Sequence, residues 1–247
     1  MGKIIAFLYG IIAYGVFLVA FLYAIGFVGN FIVPKSVNSG AEGLFMESLV
    51  VNLLLLGLFA IQHTVMARPA FKAWITKLIS PVIERSTYVL LSSLILILLY
   101  WQWRPMTEVL WNVSGTGAMI LTGVFFMGWA IVFLSTFMIN HFELFGLKQI
   151  FENLKNKLPE SPPFQTKMFY NLVRHPIMVG FMIAFWATPV MTVGHLVFAV
   201  MTTGYILIAV KFFEEKDLRS SIGQEYEDYQ ESVPMFIPFT GGKSKSE

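Results

Sequence analysis

Long uncharged apolar runs, separated by short charged segments, organise this chain. The runs extend from Ile4 to Val33, Ser48 to Ala67, Ser86 to Trp103 and Ala118 to Asn140. A polar stretch from His141 to His175 follows, and the runs Pro176 to Val193 and Gly194 to Val210 close the series. A helix needs roughly 20 apolar residues to cross the hydrocarbon core of a bilayer, so the pattern predicts an all-α, polytopic transmembrane helical bundle. The junction Thr192-Val193-Gly194-His195 reads as a tight turn, which makes the last two runs a helical hairpin. Its first arm is short and contains Pro189, so the pattern supports five to six spans. The N-terminal run exceeds the roughly 7–15 apolar residues of a signal peptide and lacks a clear cleavage site, so it is expected to stay as an anchor. These divisions suggest an N-terminal four-span region, 1–140, and a second region, 141–247, of polar loop, hairpin and tail.

Lysine and arginine predict the orientation. Lys3 precedes the first run; Arg68, Lys72, Lys77 and Arg85 lie between the second and third. Lys148, Lys155, Lys157, Lys167 and Arg174 precede the hairpin, and Lys211, Lys216, Arg219, Lys243 and Lys245 follow it. The alternate segments hold only Lys35 and Arg104, a split of fifteen to two. Six crossings with both termini on the cytoplasmic side of a cell (inner) membrane reproduce that alternation.

Composition agrees. Of 247 residues, 56% are apolar and 13% charged, against about 25% charged in an ordinary soluble domain. Lipid must therefore solvate much of the chain. A net charge of +2 without basic stripes argues against nucleic acid as a partner. The chain has no cysteine, which excludes disulfides and thiolate metal sites, and the pattern names no metal site. No internal repeat is visible, which weakens a transporter of the inverted-repeat type.

Ionisable groups at membrane depth default to functional candidates. His63, His141 and His175 each fall at a predicted cytoplasmic helix end, whereas His195 falls at the outer turn. Glu214 and Glu215 end the last apolar run; adjacent helical residues point about 100° apart, so one can face the bundle and its neighbour water. The hairpin brings this pair towards Arg174 and His175. An ordinary charged helix end would carry the same residues as solvated pairs. Tyr226 and Tyr229 share a helix face, and the uncharged segment from Val233 to Pro238 follows. That tail reads either as a lid folded back over the cytoplasmic mouth or as a segment lying on lipid.

The series Arg174-His175-Pro176 to Gly180, then Glu214-Glu215-Lys216-Asp217-Leu218, then Ile222 to Tyr229 and Val233 to Pro238, resembles the C-terminal signature of the isoprenylcysteine carboxyl methyltransferase superfamily, which includes phospholipid methyltransferases. Met178 departs from it, since the carboxyl methyltransferases usually carry tyrosine there. The segment Gln62-His63-Thr64 to Lys72 resembles NnrU-like membrane proteins and the bacterial methanethiol S-methyltransferases. The stretch Ser135 to Gln149 is similar to the latter in particular.

The resemblance implies transfer of a methyl group from S-adenosyl-L-methionine to methanethiol, a small volatile thiol, to give dimethyl sulfide. It implies a cytoplasmic cofactor pocket to which Arg174, His175, Pro176, Gly180, Glu214, Glu215, Tyr226 and Tyr229 contribute, with Leu147 and Gln149 on the adenine side. Gly180 would allow close backbone approach. His141, and after it His63, are the candidate bases for the thiol; each could instead be a structural N–H donor. A prenylcysteine carboxylate or a phospholipid amine are other acceptors, and a non-enzymatic NnrU-like membrane protein is the alternative outside catalysis.

Overall fold

The computed structural model describes residues 2–157 and 164–240; Lys243 and Lys245 of the charge count lie outside them. Among the described residues, five helices are long and apolar enough to cross a membrane, as expected of a multi-pass membrane protein. In chain order the elements are α1 (Lys3–Gly29), α2 (Phe45–Ala67), α3 (Pro69–Ile75), α4 (Pro81–Gln102), β1 (Val109–Asn112), α5 (Gly115–Ile139), α6 (His141–Leu144) and α7 (Leu147–Leu154). A 3-10 turn (Met168–Asn171), α8 (Pro176–Trp186), β2 (Val190–Thr192), α9 (Val193–Ala209), a π-helical turn (Val210–Glu214), α10 (Glu215–Ile222) and α11 (Gln224–Ser232) complete it.

Local chemistry sets the helix ends. Asn30 takes the left-handed conformation at φ 59° and returns its N–H to Gly26 at the end of α1. The third run was expected from Ser86, yet α4 starts at Pro81. Ser80 caps it by accepting the Val82 N–H, and proline suits the first helical position. Glu84 and Arg85 therefore lie within the helix.

The tight turn expected at residues 192–195 is not formed. The apolar run from Pro176 ends its helix at Trp186, and Val190–Thr192 instead forms a strand antiparallel to Val109–Asn112. Pro189 has no N–H to continue a helix, and it biases the residue before it towards extended backbone. Val193, Gly194 and His195 then begin α9. Gly194 donates its N–H to the Met106 carbonyl at 2.9 Å, and a Cβ on it would lie 3.1 Å from the Met106 nitrogen.

The chain forms two compact units that interleave along the sequence. The first comprises residues 1–113, 142–160 and 189–201. In it α1 presents Ala6, Gly10, Ala13 and Ala20 as a buried small-residue face, the kind that lets helices approach closely in lipid. A Cβ on Gly10 would lie 2.5 Å from Ile150 of α7 and 3.1 Å from Ser86 of α4. Phe27, Trp103 and Phe198 pack edge to face near its other end.

The second unit comprises residues 114–141, 161–188 and 202–247. Its backbone is the pair α5 and α8. A Cβ on Gly128 would lie 2.7 Å from the Ala184 nitrogen, and one on Gly180 2.7 Å from the Gly128 carbonyl. Trp129 packs edge to face on Phe181 and Phe185 beside this crossing. The arms of the expected hairpin meet where Trp186 Nε1 donates to Thr203 Oγ1 at 2.9 Å.

Candidate functional site

Polar chemistry in the second unit gathers at the start of α8. Pro176 occupies its first helical position, directly after His175. Opposite, the helix continuing from α9 widens into the π turn, a rare one-residue insertion that is frequent at functional sites. Glu214 ends that turn and Glu215 begins α10. The pair divides as the 100° offset predicts. Glu215 is 3% exposed, while the Glu214 side chain is 41% exposed.

The Glu215 carboxylate is saturated. Oε1 accepts from Arg174 Nε at 2.9 Å, His175 Nε2 at 2.5 Å and the Tyr226 hydroxyl at 3.1 Å. Oε2 accepts from Arg174 Nη2 at 3.2 Å and from the Gln230 amide. A buried charge held by this many charge-assisted donors is a fixed structural anion. Burial pulls the His175 imidazole down, but the hydrogen bonds and charges of Glu214 and Glu215 outweigh it and push the pKa up to about 9. His175 is therefore a cation at neutral pH, with Nδ1 3.5 Å from Glu214 Oε1. Burial and the Glu215 charge keep the Tyr226 phenol protonated far above its ordinary value, so it donates.

The same residues hold the tail down. Arg174 Nη1 donates to the Val233 carbonyl at 2.5 Å and the Gln230 carbonyl at 3.2 Å, satisfying acceptors at the end of α11. The backbone N–H groups of Arg174 and His175 donate to Pro234 and Met235 at 2.9 and 3.3 Å. Tyr229 donates its hydroxyl to the Tyr170 carbonyl at 2.5 Å, and both tail tyrosines pack on Phe164. Of the two readings of the tail, the structure has it folded back onto the segment that precedes α8. Gln230 escaped the sequence reading because a glutamine in a polar helix carries no distinguishing pattern.

Gly180 lies at the crossing of α5 and α8. Its missing side chain is taken up by α5, where Val132 as well as Gly128 would meet a Cβ. Close backbone approach is its use, but to a neighbouring helix.

His141, also in this unit, is 5% exposed just beyond α5. Its ring stacks on Phe137 with centroids 4.2 Å apart and 6° between planes. Thr136 Oγ1 donates to the Phe133 carbonyl at 2.6 Å and lies 2.8 Å from His141 Nδ1. With the threonine proton so engaged, Nδ1 is the ring donor and Nε2 carries the lone pair. Burial lowers the pKa of this histidine, so it is neutral and basic at Nε2. Thr136 was passed over in the sequence, although its spacing five residues before His141 was the available signal.

The remaining candidates belong to the first unit. The Tyr88 hydroxyl lies 2.8 Å from His63 Nε2 and 3.0 Å from Nδ1, and Ser92 Oγ lies 3.3 Å from Nδ1. Gln62 also bonds Ser92. This neutral network joins α2 to α4, the role polar side chains commonly play between membrane helices. Leu147 is buried on α7. Gln149 donates to the Glu143 carbonyl at 3.2 Å, and its Oε1 is buried without a hydrogen bond among the described residues. His195 is buried in the first turn of α9, where Thr192 Oγ1 accepts its N–H at 3.2 Å.

The family model described as NnrU protein matches residues 51–239. Methanethiol S-methyltransferase 2 of Bradyrhizobium diazoefficiens is 53% identical over 94% of this chain and 89% of its own length. The methanethiol S-methyltransferase of Mycobacterium tuberculosis is 52% identical over 97% of this chain and 98% of its own. That of Crocosphaera subtropica is 49% identical over 99% and 96%. No solved structure matches the chain. The chain thus belongs to the NnrU family, and it is similar over nearly its whole length to the methanethiol S-methyltransferases.

Proposed function

We propose that this protein transfers a methyl group from S-adenosyl-L-methionine to the sulfur of methanethiol, releasing dimethyl sulfide. Near-full-length identity of about half with chains named methanethiol S-methyltransferase carries the reading of the acceptor. Its active site is assigned to the cytoplasmic side of the inner membrane, with both termini there, on the strength of the fifteen-to-two lysine and arginine split.

The residues present fit a cationic donor. Glu214 offers a half-exposed carboxylate beside a buried imidazolium, a setting suited to an ammonium group or to ribose hydroxyls. The donor supplies an electrophilic methyl group when bound. Glu214 and the edge of His175 would hold its polar groups. Arg174, Glu215 and Tyr226 are already committed to one another and to the tail, and Tyr229 to the Tyr170 carbonyl, so they shape the wall and keep it closed. Pro176 sets the start of α8 beside them.

His141 is assigned the proton. Nε2 takes it from the thiol, and Thr136 holds the ring in the required tautomer. Phe133 and Phe137 flank the imidazole and keep water away, which favours a step in which opposite charges cancel.

The test is transfer from labelled S-adenosylmethionine to methanethiol, a prenylcysteine and an amine phospholipid, by protein in proteoliposomes. Label in headspace dimethyl sulfide is expected, with little in the other acceptors. Preferential labelling of either other acceptor would overturn the substrate assignment. No thermal stabilisation by S-adenosylhomocysteine would overturn the donor assignment and favour a non-enzymatic member.

A further inference from the structure

The segment that follows α11, residues 233–240, carries no charge: Val-Pro-Met-Phe-Ile-Pro-Phe-Thr. Its first half is tied down, since the Pro234 and Met235 carbonyls accept from Arg174 and His175 and Phe236 lies 5.9 Å from the His175 ring. Its second half turns outward, leaving Ile237 65% and Phe239 93% exposed. Phe239 is also left-handed, at φ 66°, an unfavourable state for a bulky residue. Among the described residues its ring is almost wholly uncovered.

The position of this strap decides what covers it. Pro234 and Met235 are bonded to the two residues directly before α8, all of whose eleven residues are uncharged. The strap therefore lies at the level where the chain enters the apolar layer. Phe212 and Phe213, directly before the glutamates that bind Arg174 and His175, present exposed rings at that same level. The polar side of the tail is marked by Glu227 and Asp228, exposed on α11. Aromatic and aliphatic side chains so placed, continuous with membrane-crossing surface, partition into the interface.

We infer that the strap is seated in the membrane interface, with Ile237 and Phe239 among the ends of the acyl chains. The tail is then held from two sides, by Arg174 and Glu215 on its inner face and by lipid on its outer face. The inference rests on the membrane spans and the tail contacts, and stands whichever acceptor is methylated.

The absence of native cysteine makes the test clean. Phe239→Cys, Ile237→Cys and Glu227→Cys would each carry a nitroxide label in proteoliposomes, and collision with oxygen and with a water-soluble nickel chelate would be compared. Labels at 239 and 237 should meet oxygen severalfold more than the chelate, with the reverse at 227. Chelate access at 239 and 237 equal to that at 227 would overturn the inference. Exclusion of both reagents with dipolar broadening between labels would also overturn it, by showing that a second copy of the chain covers the strap.

Discussion

Two histidine clusters, one in each compact unit, put the same residue type to different uses. Around His63 the side chains Tyr88, Ser92 and Gln62 are neutral and form a hydroxyl and amide network between α2 and α4. Around His175 the partners are ionic, with Glu214 and Glu215 facing the ring and Arg174 sharing the second carboxylate. A neutral network between membrane helices adds modest stability, because alternative partners exist in the unfolded state in lipid. A buried ionic network is different: intact, its charges cancel, but loss of one member leaves the others buried and uncompensated. A histidine among apolar residues is therefore uninformative until its partners are known.

The sharpest way to break this contrast is Glu215→Ala. Removing the shared anion should cost about 3–5 kcal/mol and release the tail, read as faster proteolysis within residues 224–240. Glu214→Ala, next in sequence but half-exposed, should change stability by no more than about 1 kcal/mol while weakening donor binding. A protected tail in Glu215→Ala would show that the network is not what holds it.

The next largest effect concerns activity. His141→Ala should lower kcat by about 10²–10⁴-fold, the usual worth of a positioned base. His63→Phe should leave kcat nearly unchanged and cost about 1 kcal/mol in thermal stability. Reversed outcomes would transfer the base role to the first unit.

The smallest effect is that of pH. The folded pKa of His175 lies above the ordinary imidazole value, so its contribution to tail closure is complete below about pH 6.5. It is lost as pH rises through about 9. Proteolysis of the tail should accelerate across that window in the wild type and not in His175→Gln.

Several features of the site were legible before any coordinates. The pairing of Arg174 and His175 with the two glutamates followed from two apolar arms returning the chain to one level. The split between Glu214 and Glu215 followed from helical geometry. The role of Gly180 did not, because a glycine that admits a ligand and one that admits Gly128 of another helix look alike in sequence. The strand at Val190–Thr192 was also hidden: Pro189 marked a break, but only its partner at Val109–Asn112 gives the broken backbone its hydrogen bonds.

The sequence by itself determined the membrane, through apolar runs too long and too numerous for water. It determined the candidate residues and, through resemblance, the family. Only the tertiary structure decided which of those residues are spent. Arg174 meets Glu215 across 41 positions of chain, Tyr226 meets Glu215 across 11 and Tyr229 meets Tyr170 across 59, and Thr136 selects the tautomer of His141. Hydrogen bonds are matched in space and saturate, so which group remains available to a ligand cannot be read from spacing. The chemistry proposed at these helix ends rests on two groups outside that closed carboxylate network, the half-exposed Glu214 carboxylate and the buried His141 imidazole.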